Sequence, residues 1–237
     1  MKIAIISDKI IDIDYADVDY FCSKDKPDIK KRISYDAAFL LEPFEEEAKK
    51  FWTGHPHLRQ CSNEAELKAE LDKLKSKVET ERKYLIKYPD FEKLKKYTLY
   101  KSRIEQVYLT SDTGTHRIRK RSYGSLTLYY ETFKVRHSDL SASEFEDVIT
   151  KEKYDELLKL ADKEKRPIKK DRYCFFYNKQ YFELDVFDFW SDKALVELEL
   201  RDENQPVTLP PELELIKDVS DDYRYKNSFL ARVKNEL

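Results

Sequence analysis

From Val78 onward the hydrophobic positions recur with a period of two, the spacing of strands with one buried face. Eight segments of strand length follow: Val78–Ile86, Arg103–Thr110, His116–Ser122, Ser125–Val135, Phe145–Ile149, Lys170–Tyr177, Tyr181–Phe187 and Leu195–Leu200. The spacing Tyr154, Leu157, Leu158 and Ala161 places one helix over Lys151–Asp162, and Asp221–Val233 reads as a closing helix. The first 75 residues have a different grammar. Lys2–Ser7 and Ala37–Leu41 are continuous apolar runs of the buried-strand kind, and Leu58–Cys61 is a further short strand. A helix is expected between Pro43 and Trp52. Asn63 with Glu66 forms a box-like helix start before Leu67, Leu71, Leu74 and Val78. The expected architecture is α+β, with a small α/β segment at 1–75 and a second domain at 76–237. Eight antiparallel strands in that second domain suggest a sandwich or a closed barrel with flanking helices.

Composition narrows the function. Charged residues make up 39% of the 237, yet 45 Lys+Arg against 47 Asp+Glu leave a net charge of −2. This balance argues against a protein that coats DNA. Three glycines, Gly54, Gly114 and Gly124, cannot write either glycine-rich phosphate loop. With 41% apolar and 14% aromatic residues the chain is too rich for disorder. Cys22, Cys61 and Cys174 are odd in number and form no C-x-x-C pair, so neither a disulfide framework nor a zinc knuckle is expected. No apolar run approaches the roughly 20 residues of a membrane span, and the N-terminus lacks the pattern of a signal peptide. A reducing, cytoplasmic location is the expectation.

The alternation also decides which charges share a face. Glu79, Glu81 and Lys83 fall on one side of their strand, and Arg117, Arg119 and Arg121 on one side of theirs. Lys134 pairs with Arg136, Glu144 with Glu146, Lys170 with Arg172, Glu183 with Asp185, and Glu197 with Glu199. For any single strand a solvated polar face explains this. Across the set, strands separate into cationic and acidic faces, and like charges on one face repel unless something lies between them. A barrel lined with charge accounts for the whole pattern. Such a lumen suits a polyanion on the Arg/Lys wall and a divalent cation on the carboxylate wall.

The same residues resemble a known family. Glu79-Thr-Glu-Arg-Lys83 matches the E-x-E-x-K signature of the CYTH superfamily, the triphosphate tunnel metalloenzymes. Arg117-Ile-Arg119, Thr132-Phe-Lys134, Glu144-Phe-Glu146, Lys170-Asp-Arg172, Tyr181-Phe-Glu-Leu-Asp185 and Leu195-Val-Glu-Leu-Glu199 follow in the family's order. Asp218 to Asn227 is similar to its closing motif, and the resemblance covers 76–237. It implies an eight-stranded antiparallel tunnel. Glu79, Glu81, Glu146, Asp185, Glu197 and Glu199 would hold Mg²⁺ or Mn²⁺. Lys83, Arg117, Arg119, Lys134, Lys170, Arg172 and Lys226 would grip a triphosphate, with Glu79, Glu81 and Lys83 as the catalytic group. Two positions depart from the family: Ala142 stands where an Arg is usual, and Val135 where a Gly often follows the strand Lys.

Tyr35 to Leu41 followed by Phe51 to Arg59 is similar to the end of an ATPase-like P-loop domain, with Ile6–Asp12 as its middle strand. No Walker A loop precedes them, so the segment resembles a truncated remnant. His55 and His57 read as a tight turn rather than a metal site, and Phe51 and Trp52 as core.

The function implied is metal-dependent hydrolysis of inorganic tripolyphosphate or an organic triphosphate. The alternatives are a class IV-type adenylyl cyclase and a non-catalytic binding or scaffold protein that keeps the fold. The expected partner is a small-molecule triphosphate, without DNA or membrane. The N-terminal segment offers an edge for a second copy or another protein.

Overall fold

The computed structural model describes residues 2–232 except 10, 12, 14, 16, 33, 56, 77, 112–113 and 138–140, and leaves out the side chains of 76, 78, 79, 136, 141 and 142. The small N-terminal unit is built on two fully buried apolar runs, β1 (Ile3–Ile6) and, later, β3 (Ala37–Leu41). Between them come β2 (Val18–Phe21) and the single-turn α1 (Ile29–Arg32). After β3 follow α2 (Glu46–Trp52), β4 (Leu58–Cys61) and α3 (Glu64–Ser76). The strands pair in the order β2-β1-β3-β4, all parallel. The unit thus has four strands where two or three were expected. β2 carries only one buried residue, Phe21, which is why its sequence signal is weak.

Both faces of this sheet are covered. Ile3, Ile5, Phe39 and Leu41 pack on Leu67 and Leu71 of α3. Ala4, Ile6, Ala38 and Leu40 pack on Trp52 and on two residues of the second unit, Cys174 and Tyr181. The Tyr181 hydroxyl donates to His55 O at 3.0 Å and accepts from Gly54 N at 3.2 Å. Gly54 sits at φ 101°, and a Cβ there would collide with the ring of Tyr100. The junction therefore requires glycine.

The second unit is β5 (Val78–Lys87), α4 (Phe91–Leu94), β6 (Tyr100–Tyr108), β7 (Thr115–Tyr123), β8 (Leu126–Arg136) and β9 (Ser141–Ile149). It continues with α5 (Lys151–Leu158), β10 (Ile168–Tyr177), β11 (Gln180–Phe187), β12 (Lys193–Glu199) and β13 (Leu215–Asp218). A 3₁₀ turn at Tyr223–Tyr225 and α6 (Asn227–Leu230) stand where one closing helix was expected. The strands form a nine-stranded antiparallel sheet in the order β12-β11-β10-β6-β7-β8-β9-β5-β13, with β12 also pairing to β5. All eight expected strands are present. The ninth, β13, is exposed at every residue and so carries no alternation to read. The expected closed eight-stranded barrel is not found: the sheet has nine strands and is left incomplete at one seam. β5 joins β9 through three residue pairs only, Val78–Ser143, Glu79–Ala142 and Thr80–Ser141, leaving Glu144–Ile149 without a strand partner on that edge among the described residues.

Among the described residues no helix is long and apolar enough to cross a membrane. Cys22, Cys61 and Cys174 are all free thiols. Trp52 is fully buried, as its core assignment requires.

His55 is buried beside Trp52, with Nε2 3.0 Å from Tyr35 O. Burial, helped by neighbouring His57, pushes its pKa from 6.5 down to about 3. The unfolded chain takes up a proton at this residue near pH 6.5 and the folded chain does not. The contribution of His55 to stability is therefore lost as pH falls from about 6.5 toward 3. Thermal melts at pH 7 and pH 4.5 should show a larger drop in Tm for the wild type than for His55→Gln; equal drops would remove His55 as the source.

Candidate functional site

Register carries one face of every long strand of the second unit to a common interior. Across the antiparallel pairs, Glu199 lies opposite Glu81 and Glu197 opposite Lys83. Glu183 lies opposite Glu197, Asp185 opposite Arg172, Arg117 opposite Thr132, and Thr132 opposite Glu146. Directly opposed residues point to the same side, so the i, i+2 charges of neighbouring strands meet. They line a cavity of about 120 Å³ carrying seven Lys/Arg side chains and six Glu.

The deepest contacts form a chain of alternating charge. Asp185, fully buried, accepts from Arg172 Nε at 2.7 Å and Nη2 at 2.6 Å, and from Lys170 Nζ. Arg172 also donates to Glu183 and, at 2.8 Å, to Glu197 Oε2. Glu197 Oε1 in turn lies 2.7 Å from Lys83 Nζ. On the facing wall Arg117 Nη2 donates to Glu144 at 2.8 Å, and Lys134 Nζ lies 2.9 Å from the other Glu144 oxygen. Thr132 donates to Glu146 Oε2 at 2.7 Å, with Arg119 3.5 Å away. Lys226 reaches the cavity from the turn before α6, where its Nζ donates to Ser220 O at 3.3 Å.

Burial alone would protonate these carboxylates; their cations prevent it. Against that burial, Lys83, Lys170 and Arg172 hold Glu197 well below the usual carboxylate range. Arg117 and Lys134 do the same for Glu144, and Arg119 lowers the pKa of Glu146. Glu81 is also kept ionised against burial, by Lys83 and Lys134, although it makes no hydrogen bond or ion pair of its own among the described residues.

The two buried lysines diverge. Burial would lower both, but Lys83 faces Glu197 and Glu81, which raise its pKa. Lys170 draws mainly on Asp185 while Arg172 opposes it, so burial prevails and brings Lys170 from 10.5 down to about 8.

The structure thus brings Glu81, Lys83, Arg117, Arg119, Lys134, Glu146, Arg172, Glu197, Glu199 and Lys226 to one cavity, with Lys170 and Asp185 joined to it through Arg172. The side chain of Glu79 and that of Ala142 lie outside the described residues. Three charged lining residues and a histidine were absent from the expected site. Glu144, Arg121 and Glu183 were visible in the alternation itself. His57 was not, because it comes from the loop before β4 in the other unit. Its neighbour Arg59 forms an ion pair with Glu199, and His57 Nδ1 is 3.8 Å from the same carboxylate.

A metal fits this donor set in a restricted way. Among the described residues no three His, Cys, Asp or Glu side chains converge as a ready-made site. Asp185, Glu146 and Glu199 each contact cations rather than one another. Glu81 remains uncommitted, and Glu197 Oε1 has charge contact with Lys83 but no aligned hydrogen bond. Two carboxylates completed by substrate oxygens are an ordinary Mg²⁺ environment.

Sequence comparison agrees with this cavity. An inorganic triphosphatase from Nitrosomonas europaea is 35% identical over 156 residues, 65% of this chain and 96% of that protein. The chain belongs to the inorganic triphosphatase family. A crystal structure of an inorganic triphosphatase is 32% identical, covering 65% of this chain and 93% of that one, with a TM-score of 0.43. A Hippeastrum protein described as a candidate adenylyl cyclase with dominant triphosphatase activity is 13% identical, covering 52% and 80%, with a TM-score of 0.40. A family model for the C-terminus of Erp proteins matches residues 16–101. None of these supports a P-loop remnant in the first 75 residues.

Two measurements test the charge chain of this family member. In a pH titration of labelled lysines, Lys170 should lose its proton near pH 8 while Lys83 stays protonated through the ordinary lysine range; coincident titrations would contradict the arrangement. Asp185→Asn leaves two buried cations without their shared anion and turns an amide NH2 toward one of them. It should cost about 3–5 kcal/mol in urea unfolding, and a loss below about 1 kcal/mol would show that the network is not integral.

Proposed function

We propose that the protein hydrolyses a triphosphate held in the charged cavity, in the presence of Mg²⁺ or Mn²⁺. The observation that carries the reading is the convergence of seven Lys/Arg and six Glu on one small cavity. A cavity for a bare polyanion would not retain the carboxylates, and a cavity for a metal alone would not need the cations. In this reading the β5–β12 pairing and the short β5–β9 seam enclose a tunnel.

Arg117, Arg119, Lys134, Arg172 and Lys226 would bind the phosphoryl oxygens, Arg through paired donors and Lys as point charges. The Nε of Arg119 is buried without a hydrogen-bond partner and is available to such a ligand. Lys83 would keep Glu197 and Glu81 ionised. Lys170 acts from behind by holding Asp185 and, through it, Arg172. Glu81 and Glu197, with Glu79 from the same strand motif, would hold the divalent ion, which when bound neutralises the carboxylates beside the polyanion and polarises a phosphoryl oxygen. Glu81, ionised and uncommitted, would accept a hydrogen bond from the attacking water. The water oxygen bonds to the terminal phosphorus as the bridging P–O bond breaks, the electron pair leaves on the diphosphate, where the arginines offset its charge, and the water's proton passes to the phosphate products.

Purified protein should release phosphate from tripolyphosphate with Mg²⁺ or Mn²⁺ and not with EDTA. Glu81→Gln and Glu197→Gln should each lower kcat at least 100-fold while the fold is retained. Tight binding of tripolyphosphate without turnover would establish instead the binding-protein reading.

A further inference from the structure

A second cavity, about 370 Å³, adjoins the first. The two share His57, Glu144, Glu146 and Glu199 in their linings, so they meet at the tunnel wall. The meeting point is the edge of β9 that has no strand partner, where α3 and β4 of the N-terminal unit lie alongside. We propose that this second cavity holds the non-phosphate group of an organic triphosphate whose phosphates lie in the tunnel. The inference rests on the triphosphatase reading above and names the substrate class.

Size is the first argument. The tunnel cavity of about 120 Å³ suits a compact anion, whereas pockets for organic ligands run from roughly 300 to 1,000 Å³. The second cavity falls in that range.

Lining chemistry is the second. Leu74 and Phe145 give an apolar surface for a ring or alkyl group, backed by the buried Ala37 and Phe39. The polar rim is mostly self-neutralised: Glu70 lies 3.2 Å from Arg201 and 3.9 Å from Arg59, and Arg59 also pairs with Glu199. Lys73 donates to Leu200 O. Acidic Asp36 and Asp147 complete the rim. Further phosphates of a longer inorganic chain would meet these carboxylates, so the cavity favours an organic group over more polyanion.

The source of the lining is the third. Ala37, Phe39, Arg59, Glu70, Lys73 and Leu74 all come from the N-terminal unit. The 156 aligned residues account for 96% of the Nitrosomonas inorganic triphosphatase, a length that residues 76–237 alone nearly fill.

The test is a comparison of kcat/KM for tripolyphosphate, ATP, CTP, thiamine triphosphate and phenyl triphosphate, in the wild type and two variants. Leu74→Trp fills the cavity, and Phe145→Ala removes apolar surface at an exposed position that tolerates truncation. At least one organic triphosphate should exceed tripolyphosphate in the wild type. Leu74→Trp should lower that organic-to-inorganic ratio at least tenfold, and Phe145→Ala about fivefold. Preference for tripolyphosphate over every organic compound overturns the inference, as does a ratio that moves less than twofold in the folded variants. No turnover of any of the five compounds overturns the triphosphatase reading, and this inference with it.

Discussion

Everything in the second unit depends on Asp185. It is the buried anion that two cations share, and through Arg172 it orients Glu197 and then Lys83. Such charges are costly to remove from water, and their mutual attraction offsets that cost only where geometry is good and each partner stays in place. The chain meets this condition by spreading alternating charge over β5, β10, β11 and β12. A face occupied in this way cannot collapse on itself as an apolar face would. Further along the same strands charge gives way to Leu85, Phe187 and Leu195, which pack on Trp190 and Leu230. The polar stretch stays hollow because an apolar cluster beside it supplies the packing.

The strands and most of the cavity were legible because both rest on period two. Every run of alternating residues from Val78 to Glu199 became a strand, and among the described side chains Arg117, Arg119 and Arg121, Glu144 and Glu146, and Glu197 and Glu199 line one cavity. What could not be read depends on contacts far apart in sequence. Leu215–Asp218 pairs with β5 while remaining exposed, so nothing local marks it as a strand. Glu199 carries the right spacing for a metal ligand, but Arg59, 140 positions earlier, occupies it. His57 resembles any histidine in a Gly-His-Pro-His segment until β4 sets it against the charged cavity. Gly54 could be placed in a turn; that the Tyr100 ring forbids a Cβ there could not.

The N-terminal unit is more than an appendage. Its sheet packs on Cys174 and Tyr181, both from strands of the large antiparallel sheet, and α3 runs directly into β5. It lies alongside the β5–β9 seam, where three residue pairs leave Glu144–Ile149 without a strand partner among the described residues. A seam of that kind would expose an unpaired edge, which natural sheets pair, cover or charge. Here it is covered, and the cover brings Arg59 and His57 to the cavity's rim. This incomplete seam is therefore a place where the N-terminal unit can influence what binds.

Charge balance inside the cavity makes ligand and metal interdependent on the proposed reading. With seven Lys/Arg against six Glu the empty site is nearly self-neutral. Arg117 and Lys134 are engaged by Glu144, and Arg172 by Glu183, Asp185 and Glu197. A phosphate oxygen can bind Arg117 or Arg172 only by competing with those carboxylates. Each carboxylate displaced is then an ionised group in a low-dielectric cavity, already held well below its ordinary pKa in the case of Glu197. Protonation is thus an inefficient way to neutralise it near pH 7, and a divalent cation arriving with the triphosphate is an efficient one. The polyanion frees the carboxylates for the metal, and the metal removes the repulsion between carboxylates and polyanion. Each therefore raises the affinity for the other, by reciprocity of coupled binding.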